Sequence, residues 1–412
     1  KKTYLLTGSI VSPAIRDAIG RFLNVFPDAS HIEYNAVSHF ALGESHRLTH
    51  GNQAIPSYRF DKAKVIVAFN ADFLGTWLSP VEFTAQYSSG RRLESGESEM
   101  SRHIQIESRM SLTGSNADLR IPISQAEETQ SLLYLARLIS ERSPSQNTRD
   151  IEGRISGISQ PINNFLSEHI VRTAEELWAA RGESLLVCGT NDVNTQSIVN
   201  FINERLENYG NTIVFDRLQN ESANNDSDFV DMVNAMNNDE VGTLIVWGTN
   251  PAYHYPDLND FITGLDRVDV KISLSGWKDE TAELMTFNCP DHHFLEAWGD
   301  TEVESGYYTL CQPTIRPLYN TRQGAESLLK WAGIETNFYD FLRNYWNTNL
   351  FPGQNSFGNF QSFWDSALHD GMYSAGNASD NSNRYNFNSG QLEETLTQLS
   401  SQIAASGLNG SD

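Results

Sequence analysis

Few side chains in this chain are grouped as chemistry would need them. His292, His293 and Glu296 come nearest to a metal set. Adjacent residues on a helix or strand point apart, so the two histidines cannot readily share one ion. His293 and Glu296 could, at a three-residue spacing. The sequence supplies no third ligand, and a zinc site needs at least that, so a packed or solvated pair is the preferred reading. Two glycine-led turns, Gly189-Thr190-Asn191-Asp192 and Gly248-Thr249-Asn250-Pro251, each follow a predicted strand. Free backbone N–H groups at such a turn can meet a phosphate. Neither turn is a GxGxxG and neither carries the P-loop lysine. Singly they read as ordinary β-α turns; placed alike in one sheet, they would flank a nucleotide-sized crevice. Asp118 and Arg120, in SLTGSNADLRIPI, read as a local ion pair, worth little if exposed, or as a pair that meets a polar ligand edge. No GxSxG elbow and no HExxH occurs. These patterns assign no catalytic, cofactor-binding or metal-binding residue.

The elements that would position a site are clearer. Asp61–Arg91, DKAKVIVAFNADFLGTWLSPVEFTAQYSSGR, has the outline of a strand, Ala63–Phe69, a crevice loop, Asn70–Leu78, and a helix, Ser79–Ser89. Such loops lie where open α/β sheets receive ligands, outside the carboxyl ends of the strands. This loop holds one carboxylate, Asp72, and no His, Cys or Lys; the rest is mostly apolar, with Phe73, Leu74, Trp77 and Leu78. A ligand site needs convergent polar groups. The loop reads instead as filled by its own side chains.

Strands and helices alternate along most of the chain, which predicts an α/β protein with doubly wound sheets. Ser12 is placed to cap a helix over Pro13–Phe26, with proline at the first helical position. Further helices are predicted at Ser38–His50 and Gln125–Arg142. From Glu183 to Asp300 the strands Ser184–Cys188, Thr212–Phe215, Thr243–Trp247 and Asp269–Leu274 alternate with helices at the density of a Rossmann-like domain. The expected organisation is a first lobe over 1–160 with the aromatic-rich 301–376 packing back on it. A linking helix follows at 161–182, then a second lobe at 183–300. Residues 377–412 are expected to form a polar, flexible or partner-dependent tail with an isolated helix, Gln391–Ala405.

Composition narrows function. With 29 basic against 52 acidic residues the formal charge is −23, which argues against nucleic acid and against anionic lipid. The cysteines, Cys188, Cys289 and Cys311, are three in number with no CxxC. That argues against a disulfide framework and against an iron–sulfur cluster held by this chain alone. No apolar run of roughly 18 residues is present, so no direct membrane span is expected. The chain opens Lys1-Lys2-Thr3 without an initiator Met and reads as a processed or truncated product.

Five segments in one order, NADFLGTWLSPVEFTAQYSSGR, SLTGSNADLRIPI, LLVCGTNDVNTQSIVNFIN, LIVWGTNPAYHYPD and TIRPLYNTRQGAESLLKWAG, carry a resemblance. The chain resembles the molybdopterin-oxidoreductase-like part of the large iron–sulfur subunit of alternative complex III, a bacterial quinol-oxidising respiratory complex. The resemblance implies two Rossmann-like lobes of the molybdopterin oxidoreductase type, lacking a recognisable C-terminal β-barrel domain. It implies a mature chain without its twin-arginine leader, on the periplasmic face of the inner membrane, peripheral within a membrane complex. It implies no cofactor in this chain, with iron–sulfur clusters and c-type haems elsewhere in the complex. The implied partners are the iron–sulfur domain, haem-bearing and integral membrane subunits, and a terminal oxidase. In catalytic relatives a Cys, Ser or Asp early in the first sheet often holds the metal. The corresponding stretch is Tyr34–His39, where Ser38 fits by type but reads better as a helix N-cap. The expected role is a non-catalytic scaffold. The rivals are a working oxidoreductase with a molybdenum bis-pterin cofactor between the lobes, its phosphates on the Gly189 and Gly248 turns, and a stand-alone nucleotide-binding protein.

Overall fold

The computed structural model describes residues 1–92, 99–142, 149–158, 163–220, 225–376 and 386–405. The chain divides into two compact units, one of Lys1–Ser38 and Asn220–Ala378, the other of His39–Gln219 and Ser379–Asp412. The first unit opens with β1 (Lys2–Thr7) and β2 (Ala29–Glu33). The second holds β3 (Ile55–Tyr58), β4 (Val65–Phe69), β5 (Arg102–Glu107), β6 (Leu119–Pro122), β7 (Ser184–Cys188) and β8 (Ile213–Gln219). The chain then returns to the first unit with β9 (Val241–Trp247), β10 (Val270–Ser273), β11 (Phe287–Asn288), β12 (Gly299–Glu304), β13 (Tyr307–Cys311) and β14 (Met372–Ser374).

Each unit is built on a parallel sheet whose central strands are buried on both faces. In the first the strand order is β11-β10-β9-β1-β2, in the second β6-β5-β4-β7. β4, VIVAF, is buried along its whole length, as a parallel strand under helices on both sides should be. Its residues alternate between two cores: Val65, Val67 and Phe69 pack into one, Ile66 and Ala68 into the other. β1 divides likewise, Tyr4 and Leu6 to one side and Leu5 to the other. The doubly wound α/β architecture is therefore present in both units. Antiparallel pairs supplement the sheets, β12-β13-β14 in the first unit and β3-β8 in the second.

The division of the chain departs from the sequence expectation. β7 does not begin a separate lobe at 183; it pairs with β4 in register from Val65↔Ser184 to Phe69↔Cys188. β9 pairs with β1, the first strand of the chain. A strand buried on both faces is apolar throughout, so its sequence marks it as a strand without naming its neighbour. The helix expected to link two lobes is Asn164–Ala179, and it buries Leu166, Ile170, Ala174 and Leu177 in the second unit's core.

The helix expected to be isolated is also a core element. Ser389–Ala405 inserts Leu392, Leu396 and Leu399 into the second unit's core, each essentially unexposed. Their spacing of four and three residues makes one apolar stripe, which the polar residues around them conceal. Residues 377–385 and 406–412 of the expected tail lie outside the described residues. In the first unit, Ser12 accepts a hydrogen bond from Ile15 N–H as the cap of helix Pro13–Val25. The buried Asp300 accepts from Ser12 Oγ (2.5 Å) and from Trp346 Nε1 (3.0 Å), tying that helix to β12 and to the aromatic C-terminal segment. Among the described residues no helix is long and apolar enough to cross a membrane.

Two histidines sit inside the second unit. Burial pushes His46 down to about 4 and His50 down to about 3, with His46 adding to the effect on His50. His50 stacks edge-on against Phe387 (5.6 Å between centroids), just before the last helix, where Asn388 N–H donates to Thr49 O (2.6 Å). An unfolded histidine titrates near pH 6.5. Between about pH 6.5 and 4 the unfolded chain therefore binds more protons than the folded one, and stability falls as pH falls through that window. The expected outcome is an unfolding free energy, measured by denaturant titration, that drops from pH 7 to pH 4 by on the order of 2 kcal/mol per histidine, with a smaller drop in His50→Leu. Leu396→Ala should cost about 2–5 kcal/mol at neutral pH, whereas an unattached helix would lose almost nothing.

Candidate functional site

The carboxyl edges of the two parallel sheets differ. In the second unit the edge is closed by the loop that follows β4. Asn70 turns the chain with a φ of +47°, a conformation Asn tolerates. Its side chain accepts from Ser108 N–H (3.1 Å) and donates to Glu128 (2.5 Å). Asp72 is used twice. Its backbone carbonyl accepts from the N–H groups of Gly75, Thr76 and Trp77. Its carboxylate accepts from Thr113 N–H (3.0 Å) and Thr113 Oγ1 (2.7 Å). The loop's one acid thus ties it to the loop after β5. Phe73 stacks on Phe60 (4.3 Å between centroids) and Trp77 packs against Tyr58 (5.1 Å). Phe73, Trp77 and Leu78 are all buried.

The Gly189 turn, which follows β7, is closed in the same way. A Cβ on Gly189 would strike the Asn70 carbonyl. Asp192 caps helix Val193–Arg205, accepting from Thr195 N–H and Oγ1, both at 2.7 Å. Its carboxylate occupies the helix terminus where a phosphate would otherwise be held. Gln196 Nε2 donates to the carbonyls of Cys188 and Thr190. Cys188 is buried, donates to Glu128 (3.1 Å), and has its thiol pushed well up, first by burial and then by that carboxylate.

Asp118 and Arg120 do not pair with each other. Asp118 takes Arg91 (2.7 and 2.9 Å) and His103 N–H (2.7 Å), while Arg120 pairs with Glu107 at 2.6 Å. Glu107 was not visible as special in sequence, beyond being an acid at the end of a strand. It is 2% exposed and also accepts from Ser111 N–H and Oγ. Burial pushes its carboxyl up, but the Ser111 and Arg120 donors outweigh that and hold it below the usual range. Ser38 does not cap the second helix, which spans Phe40–His50 with His39 at its N-cap position.

The first unit keeps an open cavity of about 1080 Å³. It lies past the ends of β2, β9 and β10, at Tyr34, Gly248 and Leu274. The strand order runs outward from β9 in one direction and from β1 in the other, so the cavity adjoins a topological switch point. The two glycine turns therefore belong to different sheets and do not flank one crevice. At the second turn, Gly248 has a φ of +68°, and a Cβ on Gly8 would stand 2.7 Å from its carbonyl oxygen. Asn250 donates to Glu280 (2.8 Å) and accepts from Thr281 N–H and Oγ1. Asp291 accepts from Trp247 Nε1 (2.7 Å), Gly324 N–H (2.8 Å) and His292 N–H (2.7 Å). Burial pushes its carboxyl up against those donors.

His293 and Glu296 serve as a helix cap. His293 Nδ1 accepts from Leu295 N–H, and Glu296 accepts from His293 N–H (3.2 Å) and Leu318 N–H (2.9 Å). The Leu318 donor holds Glu296 below the usual carboxylate range. Neither imidazole nitrogen of His292 has a partner, and both are buried; the same holds for His254 Nδ1. Among the described residues no three His, Cys, Asp or Glu side chains converge as a metal group.

No protein-family model matches the chain, and no curated protein does. The solved structure of acetylene hydratase from Pelobacter acetylenicus is similar, with a TM-score of 0.60 at 12% identity over 90% of this chain. The match spans 60% of that protein's length. At this identity the likeness concerns the fold alone. No closed barrel occurs among the described residues.

The closed crevice makes a direct prediction. Gly189→Ala should destabilise the protein by more than about 2 kcal/mol, because backbone must move to admit the methyl group. Gly20→Ala, at a half-buried position of helix Pro13–Val25 where a Cβ meets nothing within 4 Å, should be neutral or slightly stabilising. Urea unfolding of both variants measures the contrast, and equal midpoints would contradict the packing.

Proposed function

We propose that this chain is a non-catalytic scaffold of a quinol-oxidising respiratory complex of the alternative complex III type, derived from a molybdopterin oxidoreductase. Two things support the reading: the ordered series of sequence segments that resembles that complex's large subunit, and a fold of the matching type. The observation that carries it is the closed crevice of the second unit. A bis-pterin cofactor would bring phosphate to the Gly189 turn as well as to the Gly248 turn. At Gly189 the Asn70 carbonyl and the Asp192 carboxylate already stand there, and Phe73 and Trp77 fill the loop behind. The residues do not fit that group, and no reaction step is derived through it.

In this reading the chain lies on the periplasmic face of the inner membrane. It packs beside iron–sulfur, haem-bearing and membrane subunits, and a terminal oxidase completes the electron path. Clusters and c-type haems on those partners carry the electrons, and this chain fixes their geometry. Rigid cores on both faces of each sheet suit that task. The net charge of −23 turns the chain away from anionic lipid and toward protein partners.

Metal and pterin analysis of the purified native assembly tests the proposal. Iron and haem should be present, with molybdenum, tungsten and pterin all far below one per complex. Stoichiometric molybdenum or tungsten with pterin would overturn it in favour of a working oxidoreductase.

A further inference from the structure

The open cavity of the first unit has a lining that a diphosphate would not choose. Its acidic residues are Asp279, Asp291 and Glu296, and among the described residues neither Lys nor Arg lines it. Asp291 is spent on Trp247, Gly324 and His292. Asp279 is fixed by Ala282 N–H (2.7 Å) and Ser275 Oγ (2.9 Å), and Glu296 by two backbone N–H groups. These acids cannot swing away, so any occupant meets negative charge. The same lining presents large apolar side chains to solvent. Trp277, Phe294, Leu318 and Tyr319 are 75%, 67%, 72% and 78% exposed. Apolar surface gathered in this way marks an interaction site.

A guanidinium suits both features at once. It stacks on aromatic faces and takes carboxylates in bidentate pairs. Aromatic side chains with arginine are also what concentrates energy at protein interfaces.

We propose that this cavity is a docking socket for an arginine-bearing segment of a partner polypeptide. The guanidinium pairs with Asp279 and Glu296 and stacks on the exposed rings, and flanking apolar side chains cover Leu318 and Tyr319. The proposal rests on the scaffold reading and names the chemistry of one contact within it.

Calorimetry on the full chain tests it, with short peptides carrying a central arginine or a central glutamate between leucine and phenylalanine, and with guanosine monophosphate. The arginine peptide should bind, and the glutamate peptide should bind at least about tenfold more weakly. Asp279→Asn, whose amide oxygen can still accept from Ala282 N–H while its NH2 donates to Ser275 Oγ, should lower arginine-peptide affinity about tenfold with the melting temperature unchanged. Trp277→Ala, at an exposed position, should weaken binding as well. Absence of arginine-peptide binding, equal binding of the two peptides, or displacement of the arginine peptide by guanosine monophosphate would overturn the socket. An assembly free of molybdenum whose chain ignores the arginine peptide would sink this inference alone. An assembly loaded with molybdenum and pterin would sink the scaffold reading itself.

Discussion

The carboxylate of Asp72 holds the second unit's crevice shut. A parallel sheet leaves loops at the carboxyl ends of its strands, and those loops carry backbone groups and apolar surface that something must satisfy. In this unit the chain supplies that itself. Asp72 binds the loop after β4 to Thr113 in the short helix Leu112–Ser115 that follows β5, and Asn70 joins the same loop to Ser108, just past β5. With the loops fixed, Phe73 and Trp77 have a closed space to fill. Gly189 then fits against Asn70 where no side chain could.

The first unit takes the other course. Its strand-end turns are fixed along the cavity wall by bonds to their own neighbours, Asn250 to Thr281 and Asp291 to Trp247. The space past them stays open and is walled by acids and exposed rings. Two sheets of one architecture thus end differently, one in a packed core and one in an acidic, aromatic-rimmed hollow. In the scaffold role proposed above, a structural partner uses the open one.

Much of this was legible in sequence, and the limits have physical causes. β4 stood out because a strand buried on both faces is an unbroken apolar run. The helix Gln125–Arg142 fell where it was expected, and Ser12 capped the helix it was expected to cap. The loop's self-filling character followed from Phe73, Leu74, Trp77 and Leu78 beside a lone acid. Strand partnership was not legible, since β1 beside β9 and β7 beside β4 depend on long-range pairing that no local pattern encodes. For the same reason the two glycine turns looked like one crevice and proved to serve two sheets. Ser389–Ala405 looked polar because its leucines are few, yet their spacing puts them on one face. The pairing of Arg120 with Glu107 in place of Asp118 reflects the same limit, because charge partners are chosen by the fold and not by nearness in sequence.

The most direct test is an experimental density map of the native protein at side-chain resolution, read at the end of β4. The account predicts the Phe73 ring stacked on Phe60, Asp72 bonded to Thr113, and Asp192 seated on the terminus of its own helix. Density for a pterin dinucleotide at Gly189, with Phe73 and Trp77 swung out, would contradict it.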